Sequence, residues 1–126
     1  MRATAKALKT FFGGFGLPAY TPDSVPDEVN TPYLIYSLQE PEWNRKVTGY
    51  VQGWYRSKSN AALAEKADEI VSAIGQGVKL DTGVGYLVIY PESPLVQMLT
   101  DGEYRSFYIN LSINAYQMPG AFQTNT

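Results

Sequence analysis

Apolar and polar residues alternate most cleanly between Tyr104 and Tyr116. Phe107, Ile109, Leu111, Ile113 and Ala115 fall on one side of an extended chain. Tyr104, Ser106, Tyr108, Asn110, Ser112, Asn114 and Tyr116 fall on the other. A period of two predicts a strand with one core face and one polar, aromatic face. A different rhythm starts near Asn60, where Leu63, Ala67, Ile70, Val71 and Ile74 recur at helical spacing. Glu65, Lys66, Asp68 and Glu69 lie off that stripe. Ser57, Ser59 and Asn60 are N-cap types, no capping box follows them, and Gly75 and Gly77 mark the end. Burying the large members of the stripe contributes roughly 6–12 kcal/mol before chain entropy is subtracted, enough to dock the helix on a sheet.

Around these two elements the rest of the chain falls into place. Ala3, Ala7, Leu8, Phe11, Phe12 and Phe15 form a short helical stripe, stopped by Gly13, Gly14 and Gly16. It reads first as a terminal helix covering the core, and alternatively as an anchor for a partner. Residues 17–31 carry Pro18, Pro22 and Pro26 and predict a long, ordered loop. Pro32–Gln39 reads as a strand, Glu40–Arg45 as a turn, and Lys46–Arg56 as a second strand antiparallel to the first. Gly49 and Gly53 within it suggest strong twist, a bulge or close backbone approach. Trp54–Ser59 is the strand-to-helix corner. After the helix, Lys79–Gly83 predicts a short strand or turn, and Val84–Tyr90 a third strand broken by Pro91–Pro94. Leu95–Leu99 predicts a helical turn ended by Asp101-Gly102. The expectation is a single α+β domain over residues 1–126. It has about four strands, mostly antiparallel, two helices packed on the Phe107/Ile109/Leu111 face, and a flexible tail at 117–126.

Composition narrows the chemistry more than the fold. The 126 residues contain no Cys and no His. Thiol nucleophiles, disulfides, imidazole bases and the usual zinc ligands are therefore absent. A net charge of −2 is no signature of nucleic-acid or acidic-membrane binding. No apolar run reaches the length of a membrane span, and Lys9 interrupts any signal-like core, so neither a membrane segment nor an export leader is expected. Asn110-Leu111-Ser112 matches a glycosylation acceptor only formally. Gly75-Gln76-Gly77 and Gly83-Val84-Gly85 lack the later residues of a phosphate loop. Asp23/Asp27/Glu28, Glu40/Glu42 and Asp101/Glu103 lie in turns or loops, where solvated carboxylates are the default. No catalytic residue, metal or cofactor is expected.

Tyrosine is the unusual component: 10 residues against 5 Phe. Tyr104, Tyr108 and Tyr116, joined by Tyr86 and Tyr90, fall on the face opposite the core. Tyr combines contact area with one hydrogen bond at low entropy cost, which suits interfaces. Ordinary cross-strand Tyr pairs are the plainer explanation. Trp43 sits in a polar turn, either tucked back on the sheet or kept for a partner. Arg56 and Lys58 bracket the corner, either to reach a neighbour's carboxylates or as a solvated turn. The candidate interface residues are therefore Trp43, Trp54, Arg56, Lys58, Tyr104, Tyr108 and Tyr116. A stacking platform for single-stranded nucleic acid is a further reading, but it needs a positive groove. The last strand offers only Arg105, which alternation turns to the other face.

The ordered set of motifs resembles a family. Leu17-Pro18-Ala19-Tyr20, Val25-Pro26-Asp27 and Pro32-Tyr33 with Tyr36 are similar to the opening of small tail-completion proteins of long-tailed bacteriophages, labelled tail terminator or minor capsid. Trp54-Tyr55-Arg56-Ser57-Lys58-Ser59 resembles the middle motif of that family. Pro94-Leu95-Val96-Gln97 and Tyr108-Ile109-Asn110-Leu111 resemble its closing motifs. The match covers about residues 8–116, with Leu95 where members often carry an aromatic. The resemblance implies a non-enzymatic virion protein, made in the bacterial host cytoplasm, that forms a hexameric ring on the head-proximal end of the tail tube. Such a ring halts tube growth and offers the surface to which the head docks. Its implied partners are further copies of itself, the tail tube protein and a head-completion or connector protein. DNA passes through the lumen without sequence recognition. A mixed sheet flanked by helices is the implied fold. A head-side adaptor or stopper is the alternative within the same virion, and a single-stranded nucleic-acid-binding module the alternative outside it.

Overall fold

A computed structural model describes residues 2–38 and 46–117 of the chain. It is an α+β fold with two helices and a mixed six-stranded sheet. Helix α1 (Arg2–Phe12) runs into a 3₁₀ turn (Gly13–Phe15). Strands β1 (Ala19–Tyr20), β2 (Tyr33–Leu38) and β3 (Lys46–Arg56) follow, then helix α2 (Ala61–Ile74). Strands β4 (Val78–Asp81), β5 (Gly85–Asp101) and β6 (Tyr104–Gln117) complete the chain. The sheet order is β1-β2-β3-β6-β5-β4, and only the β1–β2 pair is parallel.

One core fills the helix side of the sheet. Leu8, Phe12 and Phe15 meet Leu63, Ala67, Ile70 and Ile74 of α2 over the buried strand residues, from Leu34 to Ala115. The alternation of β6 is as expected: Phe107, Ile109, Leu111, Ile113 and Ala115 are all buried. Phe12 stacks on Tyr36 with ring centroids 4.8 Å apart, so the N-terminal helix is part of the core. Lys66 ties the layers together by donating to the Phe15 carbonyl at 2.6 Å and pairing with Glu69. The corner serines order the entry to α2: the first helical N–H, of Ala61, donates to Ser59 Oγ (3.1 Å), and the Ser59 N–H donates to Ser57 Oγ (3.1 Å). Asn60 makes no side-chain cap, because its Oδ1 accepts from Arg105 at 2.9 Å. Gly53 is a point of close approach, since an added Cβ would overlap the Phe107 ring.

The sheet departs from the expected outline at its margins. The four anticipated strands are present; β4 takes the strand alternative of the short strand or turn expected at Lys79–Gly83, and the unanticipated β1 brings the sheet to six. β1 is two residues inside the proline-rich segment, paired with Leu34 and Ile35, too short to leave a periodic signal. Leu95–Leu99 is strand, not a helical turn. Past a bulge between Pro91 and Val96, the chain pairs again with β6, from Val96 opposite Ile109 to Asp101 opposite Tyr104. The hairpin closes through Gly102, whose φ of 60° suits glycine at the first position of a two-residue loop. Gln117 belongs to β6 rather than to a tail. The rest of the anticipated tail, the 40–45 turn and Trp43 lie outside the described residues.

Candidate functional site: an open aromatic sheet face

Register decides which side chains share the face away from the helices. Arg56 lies opposite Tyr104, Trp54 opposite Ser106, Gln52 opposite Tyr108 and Tyr50 opposite Asn110. Tyr33 lies opposite Trp54 on the next strand, and Tyr86 lies opposite Tyr116 across the other side of β6. The face therefore carries Tyr33, Tyr50, Trp54, Tyr86, Tyr90, Tyr104, Tyr108 and Tyr116. Among the described residues, neither helix covers it.

The tyrosines organise as stacked pairs. Tyr50 and Tyr108 lie 4.6 Å apart at 21°, and Tyr86 and Tyr116 lie 5.0 Å apart at 23°. Tyr20 meets Tyr33 edge-on at 6.2 Å. Burial, and secondarily the Tyr50 phenol, raises the Tyr108 phenol above its ordinary pKa. Tyr33 is raised by burial and by Tyr104. Tyr90 is raised first by its hydrogen bond to Tyr116 and then by burial. All three phenols stay neutral donors at physiological pH.

Polar groups between the rings are matched to one another. Ser106 and Ser112 are each 1% exposed despite facing away from the core. Gln52 Nε2 donates to Ser106 Oγ at 3.3 Å. Lys46, which pairs with Glu92 at 2.6 Å, leads the groups that lower the Glu92 pKa, followed by a hydrogen bond from Ser112. Asn110 Nδ2 donates to the Pro94 carbonyl at 2.6 Å, and Asn114 Nδ2 to Tyr116 Oη at 3.1 Å. Among the described residues, the cations of the face are engaged as well: Lys46 with Glu92, Arg56 with Glu103 at 2.8 Å, and Lys79 over the Tyr86 ring at 4.4 Å. Asn114 Oδ1 alone among these groups is buried without a partner. What remains on offer is flat aromatic area between largely paired polar groups, a surface suited to protein contact.

The structure gathers some of the expected residues and separates others. Trp54, Arg56 and Tyr104 line one cleft of 330 Å³ with Tyr33 and the Val29–Thr31 loop. Tyr108 lines another of 400 Å³ with Tyr50, Asn110 and Pro94. Tyr116 belongs to the Tyr86 pair toward β5. Lys58 lies off this face, in the exposed corner with Arg56 and Arg105. Arg105 does turn to the helix side, where its Nε donates to the Ser57 carbonyl at 3.1 Å. Tyr50 and Tyr33 were not singled out by sequence, and only the alternation of β2 and β3 paired against β6 could have found them. No group of His, Cys, Asp or Glu among the described residues has the makings of a metal site. No described helix is long and apolar enough to cross a membrane.

No family model and no curated relative matches this sequence. Solved structures do match it. One, a chain known only by a serial identifier, superposes with a TM-score of 0.61 at 15% identity, over 94% of this chain and 94% of that one. At that identity the likeness concerns the fold alone.

Proposed function

We propose that this chain is a structural assembly subunit, a tail terminator of a long-tailed bacteriophage. Copies would ring the head-proximal end of the tail tube, stop its growth and present the docking surface for the head. The observation that carries this reading is the uncovered aromatic face. A sheet face holding stacked tyrosines and Trp54, with its cations engaged inside the chain, is built to meet protein rather than to transform a substrate. The order of the Leu17–Tyr20, Trp54–Ser59 and Tyr108–Leu111 motifs supplies the specific family. The engaged cations also weigh against a stacking platform for single-stranded nucleic acid, which needs free positive charge along its groove.

Electron microscopy of virions made without this protein tests the reading. Overlong tails are expected. Tails of normal length beside unattached heads would instead assign the chain to the head side of the connector.

A further inference from the structure

Each outer edge of the sheet is only half covered. β1 lies beside Leu34 and Ile35, toward the end where β6 begins. β4 lies beside Tyr86 to Ile89, toward the end where β6 finishes. This leaves Val96–Asp101 bonded to β6 on one side, with no described strand on the other. Edges of this kind expose a row of main-chain donors and acceptors, and proteins usually guard them with charge. No residue from Ser93 to Thr100 is charged. Val96, Met98 and Leu99 are 37%, 41% and 47% exposed. Such an edge is a template for strand addition.

We propose that this edge is a self-joint that receives β1 from a second copy. The proposal rests on the ring reading above and names its seam. Strand levels favour this occupant. Through the pairings of β2 and β3, Ala19 stands level with Phe107 and Tyr20 with Tyr108. Met98 and Gln97 occupy the same two levels on the free edge. Two copies set side by side in one orientation therefore bring β1 of the second into the notch of the first, antiparallel to β5. β4 of the first copy stands level with Ile113 to Tyr116, past Leu38 of the second, which is level with Leu111, and so does not obstruct it.

The donor β1 and the receiving β5 edge are different patches, so the contact is heterologous and propagates into a ring or a chain rather than stopping at a dimer.

The absence of native cysteine makes a direct test clean. Tyr20→Cys and Gln97→Cys chains, each checked for folding by circular dichroism, are mixed in equal amounts and oxidised. The mixed disulfide dimer is expected to exceed either like-with-like dimer by about tenfold or more, as a specific contact worth over one decade in affinity requires. Met98→Lys, an exposed position outside the core, is expected to weaken self-association by about tenfold in sedimentation velocity. Predominant Gln97→Cys homodimers, absence of any intermolecular disulfide, or unchanged association of Met98→Lys would each overturn the joint. Closed rings on tail ends without the mixed disulfide would refute the joint and leave the ring reading standing. Abundant mixed disulfide in open chains that never cap a tube would support the joint and refute the ring.

Discussion

The two faces of this sheet are made by the same strands, yet they are finished in different ways. On the helix side, successive alternate residues of β6 are fully buried apolar groups locked under α1 and α2. On the other side, the residues between them are Tyr, Ser and Asn, held by cross-strand partners and, among the described residues, not covered by either helix. The first face obtains its stability by excluding water. The second pairs most of its polar groups within the chain, Gln52 with Ser106, Glu92 with Lys46 and Asn110 with the Pro94 carbonyl, while Asn114 Oδ1 is buried without a partner. Substitutions should therefore unfold the chain from one side and disable its assembly from the other.

The largest effect belongs to the helix side. Ile70→Asp places a charge in a position with no exposure and is expected to cost more than about 4 kcal/mol, leaving an unfolded chain by circular dichroism. Leu63→Asp should behave the same way. Gly53→Ala comes next: its new Cβ collides with the Phe107 ring, and urea unfolding is expected to show a loss of about 1–3 kcal/mol. On the open face, a double-mutant cycle of Tyr50→Ala and Tyr108→Ala should give a coupling of about 0.5–1.5 kcal/mol, the range of a stacked pair, while each single variant still folds.

Titration probes both faces together. Tyr36 is raised by burial, Tyr55 by burial and then Glu69 and Glu65, and Tyr33 and Tyr108 by burial and a neighbouring phenol. A raised phenol favours the neutral form in the fold. Its contribution is whole below the unfolded pKa of about 10 and is lost as pH rises through the folded value. The melting temperature is thus expected to fall steeply above pH 10, and a flat profile there would contradict the burial of these rings. Glu92 works in the opposite sense, because its pKa is lowered. Its contribution is present above the ordinary carboxylate value and is lost as pH falls through the folded one. Glu92→Gln should lower stability slightly at neutral pH, match the parent once the carboxylate is protonated, and so flatten that acid-side component, the smallest of these effects.

Much of this contrast is legible in the sequence because β6 alternates without interruption and α2 keeps its stripe. Those patterns give the core face, the docked helix and the tyrosines of the last strands. The margins are not legible, for physical reasons. Leu95-Val96-Gln97-Met98-Leu99 satisfies helical spacing through Leu95, Met98 and Leu99, and strand spacing through Val96 and Met98. Pairing with Val96's partner Ile109, and with the residues up to Tyr104, decides between them. β1 gains its geometry from β2, not from its own two residues. Tyr50 enters the aromatic face only because the β3–β6 register sets it beside Tyr108.

Tail length measured in virions that carry Tyr104→Lys with Tyr108→Lys tests the central claim most directly. Both positions lie on the face the helices leave open and outside the core, Tyr104 41% exposed and Tyr108 half-buried against Tyr50, so the purified variant should retain a cooperative melt. Assembly through this face predicts a folded protein and overlong, headless tails. A folded variant that still yields tails of normal length joined to heads would contradict it.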